Sequence, residues 1–400
     1  MISDTQRILL GLLGAKLFSD RRSRVREEDA IPLVKEAVQQ TVFLMIYKDL
    51  EDSLPADERA RVRGLYMSGL TGSLRNIACH DELHRRMARH RIPYVVIKGL
   101  ASAAYYPEPV LRVSGDVDFM IRRKDIGKTK DILTAEGYTP GGNHKHPAHL
   151  AFHKGTEILE MHWEPNGLPE SAAGDLCRRY LSDIYKTSKM YRSNTIRCRV
   201  PDTFHHGLIL LIHTATHLID TGIGLRHLCD WAVFAAGLDD REFCEIFEEK
   251  LKKTGLWHFA QILTAASVKY LGCPEKRWAE GAADDRFLEA LMEDIFAAGN
   301  FGRKDGERIN EAKLMTTKGS ATVDGSNIVI QLFRALSEKA RQEMPVCRKI
   351  AVLLPAGWLY VSIRYIMLIL SGKKPEIHVR KMVRGARKRR AVYKEFRLYR

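Results

Sequence analysis

The stretch PYVVIKGLASAAYYPEPVLRVSGDVDFMI, residues 93–121, decides the fold of this chain. Its first seven residues, 93–99, form a short run rich in valine and isoleucine that a glycine closes, which is typical of a buried strand. Its last seven residues, 115–121, alternate polar and apolar side chains and predict a second strand. Pro107 and Pro109 prevent a long helix between them. We therefore expect a strand, a short helix, a loop and a strand, in this order.

The chain continues an α/β pattern after this stretch. Residues 124–138 have apolar side chains at helical spacing and predict an amphipathic helix. The segments HLAFHKG (149–155) and EILEMHW (157–163) predict a hairpin that turns at Lys154 and Gly155. This order of elements indicates a compact α/β unit with a mixed sheet.

The sequence on either side of this unit is helical. Residues 1–90 place apolar side chains three and four apart, and this spacing returns after Pro169 with one polar interruption at 191–203. Residues 298–325 are rich in Gly, Lys, Asp and Thr and predict a loop or linker, with helices from about Ile328. The expected fold class is α+β, a small mixed-sheet domain flanked by N- and C-terminal helical regions. The predicted divisions are 1–90, 91–168, 169–297, 298–327 and 328–400.

The charge of the chain is unevenly distributed. The 400 residues have a net charge of +15. Twelve Lys or Arg against two Glu give residues 373–400 a net charge of +10, so the remaining residues carry only +5. A basic tail suits an anionic partner, either nucleic acid or an acidic membrane surface. The alternative is a solvated C-terminal helix without a partner.

The cysteines indicate the redox compartment. Their number is odd and no two lie within a few residues of each other, which fits neither a disulfide framework nor a zinc pattern. We therefore expect a reducing cytoplasm. The apolar run from Ile8 to Ala15 follows Asp4 and precedes no clear cleavage site, so it predicts an amphipathic helix rather than a signal peptide. The seven cysteines are Cys79, Cys177, Cys198, Cys229, Cys244, Cys273 and Cys347.

An apolar segment precedes the basic tail. Residues 350–370 are long enough to span a bilayer. Pro355, Gly357 and Arg364 argue against a span, because an arginine inside the bilayer is costly. We expect a buried or interfacial helix instead. An interfacial helix and a basic tail together are two signals that hold a peripheral protein on an acidic membrane.

Asp116 and Asp118 are the first candidate site residues. Side chains alternate along a strand, so the two carboxylates point to one side while Val117 and Phe119 point into the core. Two adjacent carboxylates repel each other unless a cation lies between them, and Mg²⁺ is the usual cation. The motif Asp-x-Asp alone is weakly specific, since solvated turns contain it and glycosyltransferases use it to hold a sugar nucleotide through a metal.

The surroundings of the pair narrow the interpretation. Lys98 supplies a positive charge, and Gly99 closes a strand where the backbone can approach a phosphate and a helix begins. Glu160 lies on one face of the later strand together with His162. Three carboxylates on neighbouring strands, facing a glycine turn, favour two-metal phosphoryl transfer. On spacing alone, the aspartates could instead cap loops and Glu160 could be a surface residue of an edge strand.

These motifs resemble the uncharacterised nucleotidyltransferase family, which belongs to the DNA polymerase β-like nucleotidyltransferase superfamily. The resemblance covers about residues 5–290 and implies a nucleotidyltransferase core at 91–168. Two blocks carry it. The first contains Lys98-Gly99, Ala104-Tyr105-Tyr106-Pro107, Pro109, Leu111-Arg112, Asp116-Val117-Asp118 and Glu160-Met161-His162-Trp163, and the second contains His213, His217 and Gly224-Leu225-Arg226-His227-Leu228-Cys229-Asp230.

The resemblance implies a role for each carboxylate. Asp116 and Asp118 would hold two Mg²⁺ ions, with Mn²⁺ as the alternative metal. Glu160 would share one ion and take the proton from the attacking hydroxyl. Gly99 would face the triphosphate.

The phosphate turn departs from the pattern of the superfamily. The usual Gly-Gly or Gly-Ser is Gly99-Leu100 here. The hydroxyl that normally touches phosphate is therefore missing unless Ser102 replaces it, and Lys98 and Arg112 are the candidates to compensate. This change puts the catalytic rate and the choice of nucleotide in doubt.

The second block contains ionisable side chains whose role the sequence leaves open. His213 and His217 lie four apart on one helical face, but the segment lacks the Glu of a zinc His-Glu-x-x-His motif, so a core or substrate-facing role is favoured. Arg226 could hold a phosphate or a base, which makes it a candidate nucleotide-binding residue. The alternative is a helix ion pair between Arg226 and Asp230.

The resulting hypothesis is transfer of a nucleotide from an NTP, ATP among the candidates, to a hydroxyl acceptor with release of pyrophosphate. The acceptor stays open between a small molecule, a protein side chain and an RNA end. The alternatives are a metal-dependent Asp-x-Asp glycosyltransferase and a non-catalytic relative that binds nucleotide or nucleic acid.

Overall fold

The fold is described from a computed structural model of the chain. It describes residues 1–19, 24–141, 148–193, 196–306, 308–312, 315, 328–344, 346–371 and 379–400. Residues 316–327 of the predicted linker and residues 372–378 of the basic tail lie outside this range.

The N-terminal region is helical, as predicted. The long helix α4 reaches from this region to the sheet, where it packs against strands. Helices α1 to α4 are Asp4–Phe18, Glu27–Gln39, Phe43–Leu50 and Ala56–Arg89.

A five-stranded mixed sheet forms the centre of the fold. Its strand order is β1-β2-β5-β4-β3. Strands β2 and β5 are parallel and the other pairs are antiparallel. The α+β fold class with a mixed sheet is thereby confirmed. Strands β1 to β5 are Tyr94–Val96, Val117–Ile121, Thr139–Pro140, His149–Lys154 and Glu157–His162.

Helices connect and cover the strands. The short helix α5 (Leu100–Ala103) follows β1, and α6 (Ile126–Ala135) follows β2. A second sheet contains β6 (Lys189–Ser193) and β7 (Ile196–Val200). Helices α7 to α14 are Ala172–Leu181, Ile184–Thr187, Thr203–Asp220, Leu225–Ala236, Asp240–Phe243, Glu249–Thr254, Trp257–Leu271 and Asp285–Ala298. Helices α15 to α19 are Arg308–Ala312, Ile328–Glu343, Val346–Lys349, Leu354–Leu370 and Val379–Glu395.

The hydrophobic core decides which face of the sheet carries polar groups. Val117, Phe119 and Ile121 of β2 are buried, as are Leu159 and Met161 of β5, and all five belong to one apolar cluster. Because side chains alternate along a strand, the intervening residues of β2 and β5 face the other side of the sheet. This alternation is the one that the sequence predicted.

Several boundaries differ from those predicted. Strand β2 begins at Val117, so Asp116 lies in the turn before the strand rather than on it. In the β4–β5 hairpin, Lys154 pairs with Glu157, which moves the turn one residue later than predicted. The polar interruption predicted at 191–203 contains most of the β6–β7 hairpin, whose many Arg residues concealed its alternation.

Part of the predicted linker is packed against the body of the protein. Asn300 is buried, and its neighbour Phe301 lies on imidazole rings of α9 and α10. Arg308 is also buried and forms an ion pair with Asp294 at 2.5 Å. Long-range contacts of this kind leave no periodic pattern in the sequence, which is why composition alone predicted a loop. The division of the chain into five segments stays a prediction.

The basic C-terminal helix is anchored, which the solvated alternative did not anticipate. Arg389 of α19 is buried and its guanidinium donates to Glu311 and to the backbone carbonyls of Leu218 and Ile219. Tyr393 on the same face is buried as well. One face of α19 therefore packs on the protein, while cations such as Arg387 remain exposed on the other.

Most of the apolar segment 350–370 forms α18, which is 17 residues long and begins at Leu354. Among the residues that the structure describes, no helix has both the length and the apolar character needed to cross a membrane.

We predict that Arg389→Met lowers the free energy of unfolding by about 3 kcal/mol, because it leaves Glu311 and the backbone carbonyls of Arg308, Leu218 and Ile219 without this donor. The matched change Arg387→Met removes an exposed cation of the same helix and should alter stability by less than about 0.5 kcal/mol. Urea unfolding of both variants measures the difference. Equal stability of the two variants would contradict an anchored helix.

Candidate active site

The pairing of β2 with β5 brings three polar side chains together. Asp118 lies directly opposite Glu160 in the parallel register, and His162 follows Glu160 by two residues on the same face. One ligand atom from each of the three lies within 4.8 Å of the others. Within the described residues this is the one group of three or more potential metal ligands, and Asp116 is outside it.

Asp118 is the centre of this group. Its Oδ1 accepts hydrogen bonds from Lys98 Nζ at 2.6 Å and from His162 Nε2 at 2.9 Å, and its side chain is 4% exposed. Burial alone would raise its pKa, but Lys98 and His162 hold the pKa of Asp118 well below its usual range. Asp118 is therefore a carboxylate held between two donors.

Asp116 has the opposite electrostatic environment. Burial and the neighbouring charges of Asp118 and Glu160 raise the pKa of Asp116 to about 6, against the opposing effect of Lys98. Its backbone carbonyl accepts a hydrogen bond from Asn76 Nδ2 at 3.0 Å, which fixes the turn before β2. Asp116, in the turn before the strand, therefore lies in a local excess of negative charge that Asp118 does not experience.

His162 is a member of the group that sequence reasoning did not assign to the site. Its Nε2 lies 3.4 Å from Glu160 Oε2 as well as near Asp118. Burial disfavours its charged form, but the hydrogen bonds to both carboxylates raise the pKa of His162. Its two-residue spacing from Glu160 placed it on the same face, and this was the signal that could have identified it. The third carboxylate itself, Glu160, is only half-buried, with 26% of its side chain exposed.

The glycine turn is built differently from the predicted one. Gly99 has a left-handed φ of 57°, and a Cβ there would approach His80 Nε2 to 3.0 Å, so glycine is required. The N–H of Leu100, the first residue of α5, donates to His80 Nε2 at 3.4 Å. Burial lowers the pKa of His80 to about 4, which keeps it a neutral acceptor. Ser102 is buried, and its Oγ has no hydrogen-bond partner.

Arg112 is held by the helical region rather than presented to the carboxylates. Its Nε and Nη2 donate to the two carboxylate oxygens of Asp230 at 2.8 and 2.7 Å, and its Nη1 donates to Ser114. Tyr106 also donates to Asp230 at 2.7 Å. A phosphate contact by Arg112 would require this buried bidentate pair to open, so its observed contacts favour a positioning role.

The ion pair between Arg226 and Asp230, which the sequence left as an alternative, is replaced by the pairing of Asp230 with Arg112. Arg226 instead donates from Nη1 to the carbonyl of Val113 at 3.0 Å, and its Nε has no partner. Its guanidinium lies 5.2 Å from the ring centroid of Phe301. Arg226 thus reaches the loop that leads to Asp116, close enough that it lowers the pKa of that carboxyl.

Three imidazoles and one phenyl ring form a wall, which we call the ring wall: His213, His217, His227 and Phe301. The ring centroids of His213 and His217 are 4.4 Å apart, and His217 lies 4.6 Å from Phe301. The backbone of Phe301 is left-handed with a φ of 56°, a strained conformation for a residue with a side chain. The structure thus holds this ring against the imidazoles at a conformational cost.

The imidazoles of the ring wall are neutral and close to the carboxylate site. Burial and the positive charge of Lys98 together lower the pKa of His217 to about 3. Burial and Lys98 likewise lower the pKa of His213. The buried Nε2 of His227 has no hydrogen-bond partner. Within the described residues, no group of three potential metal ligands includes these histidines.

The carboxylate site fits a divalent cation. Burial and the negative charges of Asp118 and Glu160 raise the pKa of Asp116, so ionisation of all three groups is unfavourable without a cation. Asp118 and Glu160 offer oxygen atoms within a few ångströms of each other, and oxygen is the ligand atom that Mg²⁺ prefers. The residues present therefore match the donor set that such an ion requires.

A family assignment agrees with this geometry. The sequence model of a family described as uncharacterised nucleotidyltransferase matches residues 26–272, more than half of the chain. The chain belongs to this nucleotidyltransferase family. The matched range contains the whole mixed sheet, both aspartates, Glu160 and the α9 and α10 residues of the ring wall. The resemblance predicted from the motifs is confirmed.

Comparison with solved structures and curated proteins adds little to this assignment. The chain is similar to the crystal structure of an antigenic nucleotidyltransferase-like protein from Paracoccidioides brasiliensis, with 14% identity and a TM-score of 0.35. The similarity covers 52% of this chain and 96% of that chain. No curated protein sequence matches the chain.

The stability of the protein should respond in opposite directions to amidation of Asp116 and of Asp118. In the metal-free protein at about pH 7.5, Asp116→Asn removes a buried carboxylate whose pKa is raised, so it should stabilise by about 1–2 kcal/mol. The cost it removes is present above pH 6 and fades as the pH falls toward about 4, because Asp116 then takes up a proton in the folded state.

Asp118→Asn should destabilise the protein by about 3 kcal/mol, because it leaves Lys98 and His162 without their buried counter-charge. The melting temperatures of the two variants and the wild type, measured in a chelator at about pH 7.5 and at about pH 4, test both predictions. A loss of stability in both variants would mean that Asp116 is not in a repulsive site.

Proposed function

We propose that this nucleotidyltransferase moves a nucleotide from an NTP to a hydroxyl acceptor by two-metal catalysis and releases pyrophosphate. The observation that carries the proposal is the side-by-side position of Asp118 and Glu160 on parallel strands, with Asp116 beside them. Carboxylates arranged in this way hold divalent ions that neutralise phosphate charge.

Asp116, Asp118 and Glu160 are the proposed metal ligands. Mg²⁺ is the proposed ion and Mn²⁺ the alternative. Bound there, such ions stabilise the negative charge that develops on the transferred phosphorus group and on the pyrophosphate. Asp116 and Asp118 serve both ions in this proposal, and Glu160 serves one.

The side chains around the carboxylates have separate proposed tasks. Glu160 is accessible enough to accept the proton of the attacking hydroxyl. Lys98 forms an ion pair with Asp118 in this structure. In the proposal it leaves Asp118 when the nucleotide binds and pairs with the phosphate chain instead. His162 holds Asp118 from its other side, and the left-handed Gly99 keeps the turn beneath the phosphates narrow.

The nucleoside part of the NTP has a proposed place against the ring wall. Phe301 and the neutral imidazole of His217 offer flat surfaces for a base, and Arg226 lies over the same phenyl ring. The unpartnered Nε2 of His227 offers a hydrogen bond to the base edge. These groups lie near Lys98, which perturbs two of the three imidazoles.

The predicted phosphate contacts of Ser102 and Arg112 have less support. The Ser102 hydroxyl is enclosed at 1% exposure, and every nitrogen of the Arg112 guanidinium already donates to a side chain. We propose that Ser102 acts only within the turn and that Arg112 orients the loop leading to Asp116.

One observation favours a second candidate function, a non-catalytic relative that binds nucleotide. The N–H of Leu100 is taken by His80, and Asp118 is already paired with Lys98, so two groups used in phosphate transfer are occupied. Activity requires the Lys98–Asp118 pair to open when the nucleotide binds. A glycosyltransferase has weaker support, because Glu160 adds a third carboxylate that sugar-nucleotide binding through an Asp-x-Asp pair does not need.

In addition to the hydroxyl acceptor, we propose a negatively charged partner, either nucleic acid or an acidic membrane surface. The exposed cations of α19 point away from the body of the protein, as Arg387 and Lys394 do. Their position suits a negatively charged surface.

Incubation with α-labelled NTPs and a divalent ion tests the reaction. We expect release of labelled pyrophosphate from γ-labelled NTP and transfer of α-label to an acceptor in an extract, both lost in a chelator. Glu160→Gln and Asp116→Asn should each lower the rate by at least about 100-fold, since each removes a metal ligand.

Glu157→Gln is the matched control for this reaction. Glu157 lies on the same strand but bonds to Tyr138, away from the carboxylate group, so its amidation should leave the rate within about threefold. NTP binding without pyrophosphate release would favour the non-catalytic relative. Release of a nucleoside diphosphate from a sugar nucleotide would favour the glycosyltransferase.

The ring wall makes a separate prediction about nucleotide affinity. Phe301→Ala should raise the KM for the preferred NTP about tenfold, because stacking of a base on an aromatic ring is lost. Inhibition by inorganic tripolyphosphate, which has no base, should be unchanged. Equal effects on NTP and tripolyphosphate would place the base elsewhere.

A further inference from the structure

Helix α18 carries an exposed apolar stripe along its length. With 100° between successive residues, its members fall within about a third of the helix circumference. Val352, in the turn before the helix, is 86% exposed, and Leu359 and Met367 are each 64% exposed. An aqueous surface seldom holds so many large apolar side chains in one row. The stripe consists of Val352, Ala356, Leu359, Tyr360, Ile363 and Met367.

The opposite face of α18 fixes the outward direction of the stripe. Trp358 Nε1 donates to Ser337 Oγ of α16 at 2.9 Å. Gly357 lies against Ala340, where a Cβ would come within 2.8 Å of the alanine methyl group, so the two helices are in close contact. Helix α16 packs against the inner face of α18. The stripe lies on the opposite face, which α16 does not cover.

The segment that carries the stripe also carries almost all of the net charge. Residues 328–400 contain eighteen Lys or Arg against four Glu, a net charge of +14 out of +15 for the whole chain. The exposed cations include Arg364 on α18 and Arg384, Arg387, Lys388, Lys394 and Arg397 on or beside α19. The first 327 residues are therefore nearly neutral, and the basicity belongs to the C-terminal helices.

We propose that the stripe docks on an anionic lipid surface, with α18 lying in the plane of the headgroups. The apolar side chains enter the boundary between headgroups and acyl chains, and exposed cations of the same C-terminal segment pair with lipid phosphates. The length of α18, 17 residues, suits this position, since no helix among the described residues has both the length and the apolar character needed to cross a bilayer.

The charge distribution separates this partner from two others. A second copy of the chain could cover an apolar stripe, but it would bring another +14 to the same interface. Nucleic acid would match the cations but would leave the row of Leu359, Ile363 and Met367 exposed to water, since phosphate contacts make no use of aliphatic side chains. An acidic lipid surface satisfies both features.

Co-sedimentation of the full chain with vesicles tests the proposal. We expect binding to phosphatidylcholine vesicles that contain phosphatidylglycerol, weak binding to pure phosphatidylcholine, and a decrease when NaCl rises from about 0.1 to about 0.5 M. The triple variant Leu359→Ser, Ile363→Ser, Met367→Ser should lower the partition coefficient by at least about tenfold.

A matched variant distinguishes the stripe from exposed apolar residues in general. Leu65→Ser, Met67→Ser, Leu74→Ser changes three comparably exposed side chains of α4 and should bind vesicles like the wild type. All six positions are exposed, so both variants should keep the wild-type melting temperature.

Three results would overturn the proposal. The first is no vesicle binding by the wild type, and the second is equal binding by both triple variants. The third is a wild-type dimer that the stripe variant converts to a monomer without any vesicle binding by either, which would assign the stripe to a second copy of the chain. If the wild type binds no vesicles but both it and the stripe variant bind RNA, the proposal is overturned and the cations are assigned to nucleic acid.

Discussion

The hydrogen bonds that Asp118 accepts from Lys98 and His162 are the interaction around which this structure is organised. Parallel pairing of β2 with β5 puts Glu160 opposite Asp118. Lys98 comes from the end of β1 and His162 from the end of β5, so three strands meet at one carboxylate oxygen. The negative charges of Asp118 and Glu160 contribute to the raised pKa of the neighbouring Asp116. The positive charge of Lys98 therefore compensates the negative charge of the site only in part, which favours binding of a further cation.

The helical regions hold the loops that surround this carboxylate. Asp230 of α10 binds Arg112, and Arg226 of the same helix binds the carbonyl of Val113, so the loop leading to Asp116 is fixed from one side. Helix α4 fixes it from the other side through Asn76 and supports the glycine turn through His80. The sheet supplies the carboxylates, and the helices determine where the flanking loops place them. This division explains why the family match extends well beyond the sheet.

The parts of this architecture that sequence could predict are those with a local period. Alternation along β2 and β5 predicted the buried Phe119 and the outward Asp118 and Glu160, and helical spacing predicted the flanking helices. Pairings between distant segments have no such signature. The donation from Leu100 to His80 joins residues 20 apart, and the bond from Arg112 to Asp230 joins residues 118 apart. Arg112 therefore looked available for phosphate from its motif, while its partner was visible only in three dimensions.

The most direct test is a crystal structure of the full chain with Mn²⁺ and a non-hydrolysable NTP analogue, using the anomalous signal of manganese. The account predicts anomalous peaks at about 2.2 Å from carboxylate oxygens of Asp116, Asp118 and Glu160, with Lys98 moved from Asp118 to a phosphate oxygen. Manganese bound at other residues, with the Lys98–Asp118 hydrogen bond intact beside a bound nucleotide, would contradict it.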